Sequence, residues 1–302
     1  MHSMKSDPLV SVIVTCYNQQ QVIANTLRSV QNQSHRNIEC IVVDDGSTDD
    51  GANVIRKIAD GDDRIRYIRK VNSGVSMARN TGYAESRGEF IQFLDGDDTL
   101  APEKLERQLA HFQSDESIDV SCTNHRHFFV EQNRFQTFAF EPIESCPLKQ
   151  LLYGWHNGVS LPVHAPLYRR SIWASDETPY PIDYHGRCED WVFLVLVAAN
   201  GARFSYLDEV LCTYCIDSNR FTGDITKLCT ALIQAAHYLD SKIPCELREG
   251  FVEDVIHRSL SSYHQALKSG VLRASGNWRL GNLLTKPFVK FLNAARRIAH
   301  VG

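Results

Sequence analysis

The chain has 302 residues, 43% of them hydrophobic and 23% charged, with a formal net charge of −4; this is an ordinary globular composition, large enough for one big domain or two smaller ones. No apolar stretch approaches the roughly 20 residues needed to cross a bilayer, and the opening MHSMKSDPLV lacks the features of a signal peptide, so a cytoplasmic protein is expected. From Val255 onward there are eight basic and no acidic residues, leaving 24 basic against 36 acidic before it, an asymmetry that suggests two regions with different jobs.

LVSVIVTC (Leu9 to Cys16) is a β-branched apolar run that ends in a polar turn around Tyr17-Asn18-Gln19, and Val22, Ile23, Leu27 and Val30 then recur at helical spacing. IECIVV (Ile38 to Val43) predicts a second buried strand closed by Asp44-Asp45-Gly46-Ser47, and Val54, Ile55 and Ile58 mark the next helix. RIRYIR (Arg64 to Arg69) alternates as a third strand. Asn72-Ser73-Gly74 precedes an expected helix that runs to about Ser86, and a fourth strand is expected from Gly88 to Leu94. Buried strands alternating with helices predict right-handed βαβ units and a mostly parallel sheet covered on both faces. Beyond Pro102 the expectations are a helix, a strand at Ile118 to Cys122 and a hairpin in HRHFFVEQNRFQTFAF. An apolar helix after Cys188-Glu189-Asp190, late strands at Ala202 to Leu207 and Val210 to Cys215, and helix from about Gly223 to the end complete the pattern. The expected division is a nucleotide-binding catalytic domain over 1–222 and a basic helical region over 223–302.

In a parallel sheet the strand C-termini share one edge, where ligands bind. Thr15 to Asn18, Asp44-Asp45 and Asp95-Gly96-Asp97 all fall there. Singly, acidic turns such as those at Asp49 and Asp98 read as caps or Asx-turns; jointly they favour a polar ligand or metal. Asp95 and Asp97 are two residues apart and on one side of an extended chain, with Gly96 between them to let a ligand come close. Hard oxygen ligands with a vacant side suit Mg²⁺ or Mn²⁺ shared with substrate phosphates. No Walker loop and no G-x-G-x-x-G after the first strand is present, which weighs against NTPases and nicotinamide dehydrogenases.

SVIVTCYNQ, IVVDDGSTDD and NSGVSMARNTGYAESRGEFIQFLDGDD, in this order and spacing, resemble the successive signatures of family 2 glycosyltransferases with the GT-A fold. The resemblance is specific from about Leu9 to Thr99 and weaker to about residue 220. It implies an inverting, metal-dependent transferase using a nucleotide-diphospho-sugar, a UDP-sugar foremost. It also implies that Thr15, Tyr17 and Asp44 hold the base, with Asp45 positioning their loop. Arg79 would approach the base or diphosphate, Asp95 the ribose side and Asp97 the metal.

Inverting transfer needs a carboxylate opposite the leaving group to take the proton of the acceptor hydroxyl. Asp190, beside Glu189 at the start of an apolar helix, is the candidate; the residues alone fit a helix cap equally well, and the resemblance makes Asp190 the base. Trp191 is either a sugar platform or core. Relatives carry a Y-R-x-H stretch whose His reaches the metal or diphosphate. Here Tyr214-Cys215-Ile216-Asp217 stands in its place, so Asp217 would complete the metal shell or Arg220 would clamp phosphate. His125 and His127 read as exposed structural residues.

Nine scattered cysteines read as reduced thiols, with Cys212-x-x-Cys215 structural rather than metal-binding. Phe288, Phe291, Leu292, Ala295 and Ile298 form an apolar helical stripe beside Lys290, Arg296 and Arg297. That tail would lie on the inner face of the cell membrane, or pack on the catalytic domain or a second subunit. No nucleic-acid reading motif is present. The expected activity is sugar transfer to a glycan or lipid-linked acceptor in cell-surface polysaccharide or glycolipid synthesis. A nucleotidyltransferase and a non-catalytic sugar-binding scaffold are the alternatives.

Overall fold

The computed structural model describes residues 7–138, 141–155, 159, 161–175, 177–216 and 225–268. Its first half follows the expected alternation: β1 (Val10–Cys16), α1 (Ile23–Gln31), β2 (Ile38–Asp44), α2 (Gly51–Ala59), β3 (Ile65–Arg69), α3 (Val75–Ala84) and β4 (Phe90–Asp95). These strands pair in parallel in the order β3-β2-β1-β4. Every residue of β1 and β2 is buried, as expected for strands covered on both faces. The register sets Thr15 beside Asp95 and Cys16 beside Asp44, so the polar ends of three strands share one edge.

The second half comprises β5 (Thr99–Leu100), α4 (Lys104–Ser114), β6 (Val120–Phe129), β7 (Arg134–Thr137), α5 (Leu148–Gly154), β8 (Leu167–Arg169), α6 (Glu189–Ala199), β9 (Phe204–Ile216), α7 (Ile225–Asp240) and α8 (Phe251–Lys268). The sheet continues β4-β8-β6-β9-β5, with β7 hairpinned onto β6. The sheet is therefore less parallel than expected. β8 runs antiparallel to both β4 and β6, and β5 antiparallel to β9; only β6 and β9 pair in parallel here. The two late strands foreseen are one strand, β9, whose register slips opposite Thr123–His125. That slip at Asp208-Glu209 is what the sequence displays as a polar break.

α6 is apolar all round because it is enclosed. On one side Phe193 meets Tyr180 at 4.3 Å and Phe93 at 5.8 Å between ring centroids. On the other, Trp191 faces Phe251 of α8 at 6.2 Å. α8 also reaches α5 through Tyr153 and Phe251, 6.1 Å apart, so α8 packs against the body that carries the sheet. The foreseen basic stripe at 287–298 lies outside the described residues.

Candidate active site

The loops after β1 and β2 are tied to each other. The Asp45 N–H donates to the Cys16 carbonyl (2.9 Å), the Thr48 N–H to the Asn18 side chain (2.7 Å) and the Gln20 N–H to Asp49 (2.8 Å). Asp49 also accepts from the Gly51 N–H at the start of α2, so it serves the local turn as expected of a lone acid there.

The two acids ending β2 have different roles. Asp44 is fully buried; it accepts from the Ser47 N–H (2.7 Å) and the Tyr67 hydroxyl (2.6 Å). Burial alone would raise its pKa, but these hydrogen bonds outweigh it and hold the carboxyl below the usual range. Asp45, and not Asp44, is among the residues that line the cleft. Asp45 accepts from Lys70 Nζ (2.7 Å) and from the N–H groups of Ser73 (3.0 Å) and Gly74 (2.8 Å). It thereby fixes the entry to α3, where Gly74 adopts a φ of 92° that few side chains tolerate.

α3 delivers Arg79, which is 1% exposed, between two carboxylates. Its Nη2 donates to Asp95 (2.8 Å) and its Nη1 to Glu189 (3.2 Å), with the guanidinium 5.0 Å from the Tyr180 ring. Arg79 lines the first cleft as well. The adjacent Asn80 exchanges two hydrogen bonds with the Tyr180 backbone (2.8 and 2.9 Å), clamping α3 to the segment before α6.

Asp95 also accepts from the Thr15 hydroxyl (3.1 Å), so its carboxylate is oriented from two sides. Gly96 is required for a reason other than ligand approach. A β-carbon there would sit 2.8 Å from the Thr15 carbonyl and collide with the Gln19 amide, so glycine lets the acidic turn close onto β1. Asp97 is half-buried and lines the cleft. Asp98, fully buried, accepts from the Cys215 N–H (2.8 Å) and lies 3.1 Å from His164 Nδ1. It ties the acidic turn to β9 and to a histidine that no sequence pattern had singled out. Burial opposes charge on His164, but the Asp98 carboxylate prevails and raises its pKa to about 10.

Two clefts open here. The first, about 410 Å³, is lined by Thr15, Tyr17, Asp45, Arg79, Asp95 and Asp97 among others. The second, about 760 Å³, is lined by His125, His127, Trp155, Ile182, Tyr184 and Asp190 among others. They share Gly74, Val75, Asp95, Glu189 and Tyr214. Burial and the neighbouring Asp190 charge raise the pKa of Glu189 above the usual carboxylate range, while Arg79 opposes the shift. His125 corrects the exposed reading: it is 1% exposed, and burial with His164 and His127 nearby pushes its pKa down to about 3, leaving a neutral ring. Trp191 is 1% exposed and donates its indole N–H to the Leu151 carbonyl (2.9 Å), which places it in the core. Neither Cys212 nor Cys215 is in a disulfide; the first is buried and the second half-buried. Asp217 and Arg220 lie outside the described residues. His164 is a neighbour of the site that sequence reasoning missed, and His127, read as exposed, is half-buried and lines the second cleft; the alternation of His125 and His127, which aims both at one side of β6, was the available signal.

Fold and site together define a GT-A-type protein: an α/β sheet with an acidic turn at its edge and a second acid pair across the cleft. The profile of glycosyl transferase family 2 matches residues 11–174, and the chain belongs to that family. EpsH of Bacillus subtilis is 34% identical over 180 residues, 58% of this chain and 51% of that protein. The chain spans about half the length of the first curated relatives it matches. Among solved structures, S. aureus TarS 1–349 in complex with UDP-GlcNAc superposes with a TM-score of 0.64 at 21% identity, covering 83% of this chain and 72% of that one. Mannosyltransferase PcManGT from Pyrobaculum calidifontis, in complex with GDP-Man and Mn²⁺, gives 0.62 at 17% identity, covering 93% and 81%.

Proposed function

We propose that the protein is an inverting glycosyltransferase that moves a sugar from a nucleotide-diphospho-sugar, a UDP-sugar foremost, to a hydroxyl of a glycan or lipid-linked acceptor in cell-surface polysaccharide or glycolipid synthesis. The observation that carries this reading is the meeting of two acid groups, distant in sequence, at paired clefts that share Asp95 and Glu189. The donor fits the first cleft, beside Thr15, Tyr17 and Asp45. The acceptor fits the second, within reach of Asp190.

Asp190 takes the proton of the acceptor hydroxyl as that oxygen attacks the anomeric carbon; the bond to the diphosphate oxygen breaks on the opposite face, and the configuration inverts. Glu189 and Arg79 hold the start of α6 in register with Asp95. Among the described residues no three His, Cys, Asp or Glu side chains gather to hold a metal. Asp97 and Asp95 supply two hard oxygen donors, a set that suits Mg²⁺ or Mn²⁺ when substrate phosphates complete the shell. Such an ion would neutralise charge on the departing diphosphate. The family assignment and the nucleotide-sugar complexes of the structural neighbours support this reading.

The test is incubation of the full chain with Mn²⁺ and a panel of UDP-, GDP- and dTDP-sugars. Slow release of nucleoside diphosphate from one donor is expected. Pyrophosphate release from a nucleoside triphosphate would instead identify a nucleotidyltransferase, and tight donor binding without turnover, even with acceptor, a scaffold.

A further inference from the structure

We propose that Lys104 is a positioning residue for the donor cleft: from inside the fold it fixes the segment that carries His164, and through His164 and Asp98 it sets the acidic turn. This rests on the reading of the first cleft as the donor's place and deepens it. Lys104 opens α4 and is fully buried. Its ammonium donates to Gln92 Oε1 (2.8 Å), to Gln108 Oε1 and to the Ala165 carbonyl (3.2 Å). Three donors meet three acceptors, so the charged form is fully satisfied. All three acceptors are neutral, and among the described residues no carboxylate pairs with the ammonium.

Such a placement does not serve stability. A charge buried without a counter-ion is costly, and a cation in the first turn of a helix also opposes the helix dipole. An apolar side chain of similar length would avoid both costs. What the ammonium does is close a network around two residues. Gln92 donates to the His164 carbonyl (3.1 Å), while Gln108 and Thr123 donate to the Ala165 carbonyl (3.2 and 3.3 Å). The backbone at His164 and Ala165 is thereby held from β4, α4 and β6, and the His164 ring meets Asp98 at 3.1 Å. Asp98 in turn accepts from the Cys215 N–H and donates its own N–H to the Asp95 carbonyl (3.0 Å). The acidic turn therefore has β4 at one end and, through Asp98 and His164, the Lys104 network at the other. Burial lowers the pKa of Lys104 to about 8. The titratable groups facing it are Cys122 of β6 and Cys212 of β9, with the His164–Asp98 pair beyond Ala165. A neutral amine has two hydrogens for three acceptors, so the network loosens as the proton leaves.

The test is calorimetric titration of the full chain with UDP, GDP and dTDP in Mg²⁺, with urea denaturation in parallel. Lys104→Met should fold at least as stably as the unmodified protein, yet raise the Kd of the nucleoside diphosphate about tenfold. In the unmodified protein that Kd should rise between about pH 7 and about pH 9, as the ammonium loses its proton. Lys104's own contribution to stability should improve over the same interval, since the unfolded chain holds that proton to higher pH. Lys104→Met should remove both trends. A merely structural lysine gives the reverse, a less stable variant with unaltered nucleotide affinity, and that result would overturn the proposal. A Kd independent of pH in the unmodified protein overturns it without any variant. Binding of none of the three nucleotides defeats the transfer reading and the proposal with it, whereas equal binding by both proteins defeats only the role of Lys104.

Discussion

Arg79 bridges Asp95 at 2.8 Å and Glu189 at 3.2 Å, and so joins the two clefts electrostatically. A lysine has one compact charge and cannot span two carboxylates as a guanidinium fork does. Arg79→Lys is therefore expected to lower kcat/KM about a hundredfold, equivalent to about 2.7 kcal/mol of transition-state stabilisation. It should also move the acidic limb of the pH–rate profile upward, because Arg79 opposes the rise in Glu189's pKa and a lysine, unable to reach both carboxylates at once, opposes it less. An unchanged acidic limb would show that Arg79 does not set the charge of the pair. Asp190 and Asp97 should separate cleanly. Asp190→Asn keeps the side-chain size and removes the base, so kcat should fall by about 10²–10⁴ with donor affinity nearly unchanged by calorimetry. Asp97→Asn should weaken donor binding in Mn²⁺ and reduce the difference made by chelating the metal. Full transfer activity in the Asp190 variant would remove it from the role of base.

α3 can place Arg79 only because it lies close against β1, and Gly82 permits that closeness. A β-carbon at Gly82 would collide with the Ile13 side chain and come within 3.2 Å of Val43. Gly82→Val should cost about 1–3 kcal/mol and also raise the donor's Kd, since the helix must back away with Arg79 on it. Urea denaturation and donor titration together check this, and a stability loss with unaltered donor affinity would show that the helix does not transmit the shift. The parallel half of the fold was legible because buried βαβ strands are continuous apolar runs that end in polar turns. The second half was harder: β8 has three residues and pairs by two residue pairs per neighbour, too short for a periodic signal. His164 was invisible for a similar reason. A single histidine in an irregular segment has no pattern, and only the fold brings it to Asp98. With its pKa raised to about 10, His164 stays charged in the native state, and this stabilisation is complete below the ordinary imidazole value of 6.5 and fades as pH rises toward 10. Lys104, pushed down to about 8 by burial, acts in the opposite direction above that pH, so the informative quantity is the difference between proteins. His164→Gln should cost about 3 kcal/mol near pH 6.5, and the gap should narrow by pH 9.5. A gap constant with pH would mean that His164 is neutral in the folded protein.

At the scale of the molecule, the first cleft is lined mainly from the parallel half of the sheet and the second mainly from β6, β9, α6 and the segment before it, while charge divides along the chain instead, acidic before Val255 and basic after it. Among the described residues no helix is long and apolar enough to cross a membrane. Basic residues are each worth roughly 1 kcal/mol near an anionic surface. Three such contacts amount to about 3 kcal/mol, or roughly a hundredfold in partitioning, enough to hold the protein at a membrane without committing it there. The full chain is accordingly expected to sediment with phosphatidylserine-containing vesicles and not with pure phosphatidylcholine ones. Salt should release it as the screening length falls from about 10 Å at 0.1 M to about 3 Å at 1 M. Equal binding to neutral and anionic vesicles would argue that the basic region packs on protein instead, and would leave donor binding in the sheet half untouched.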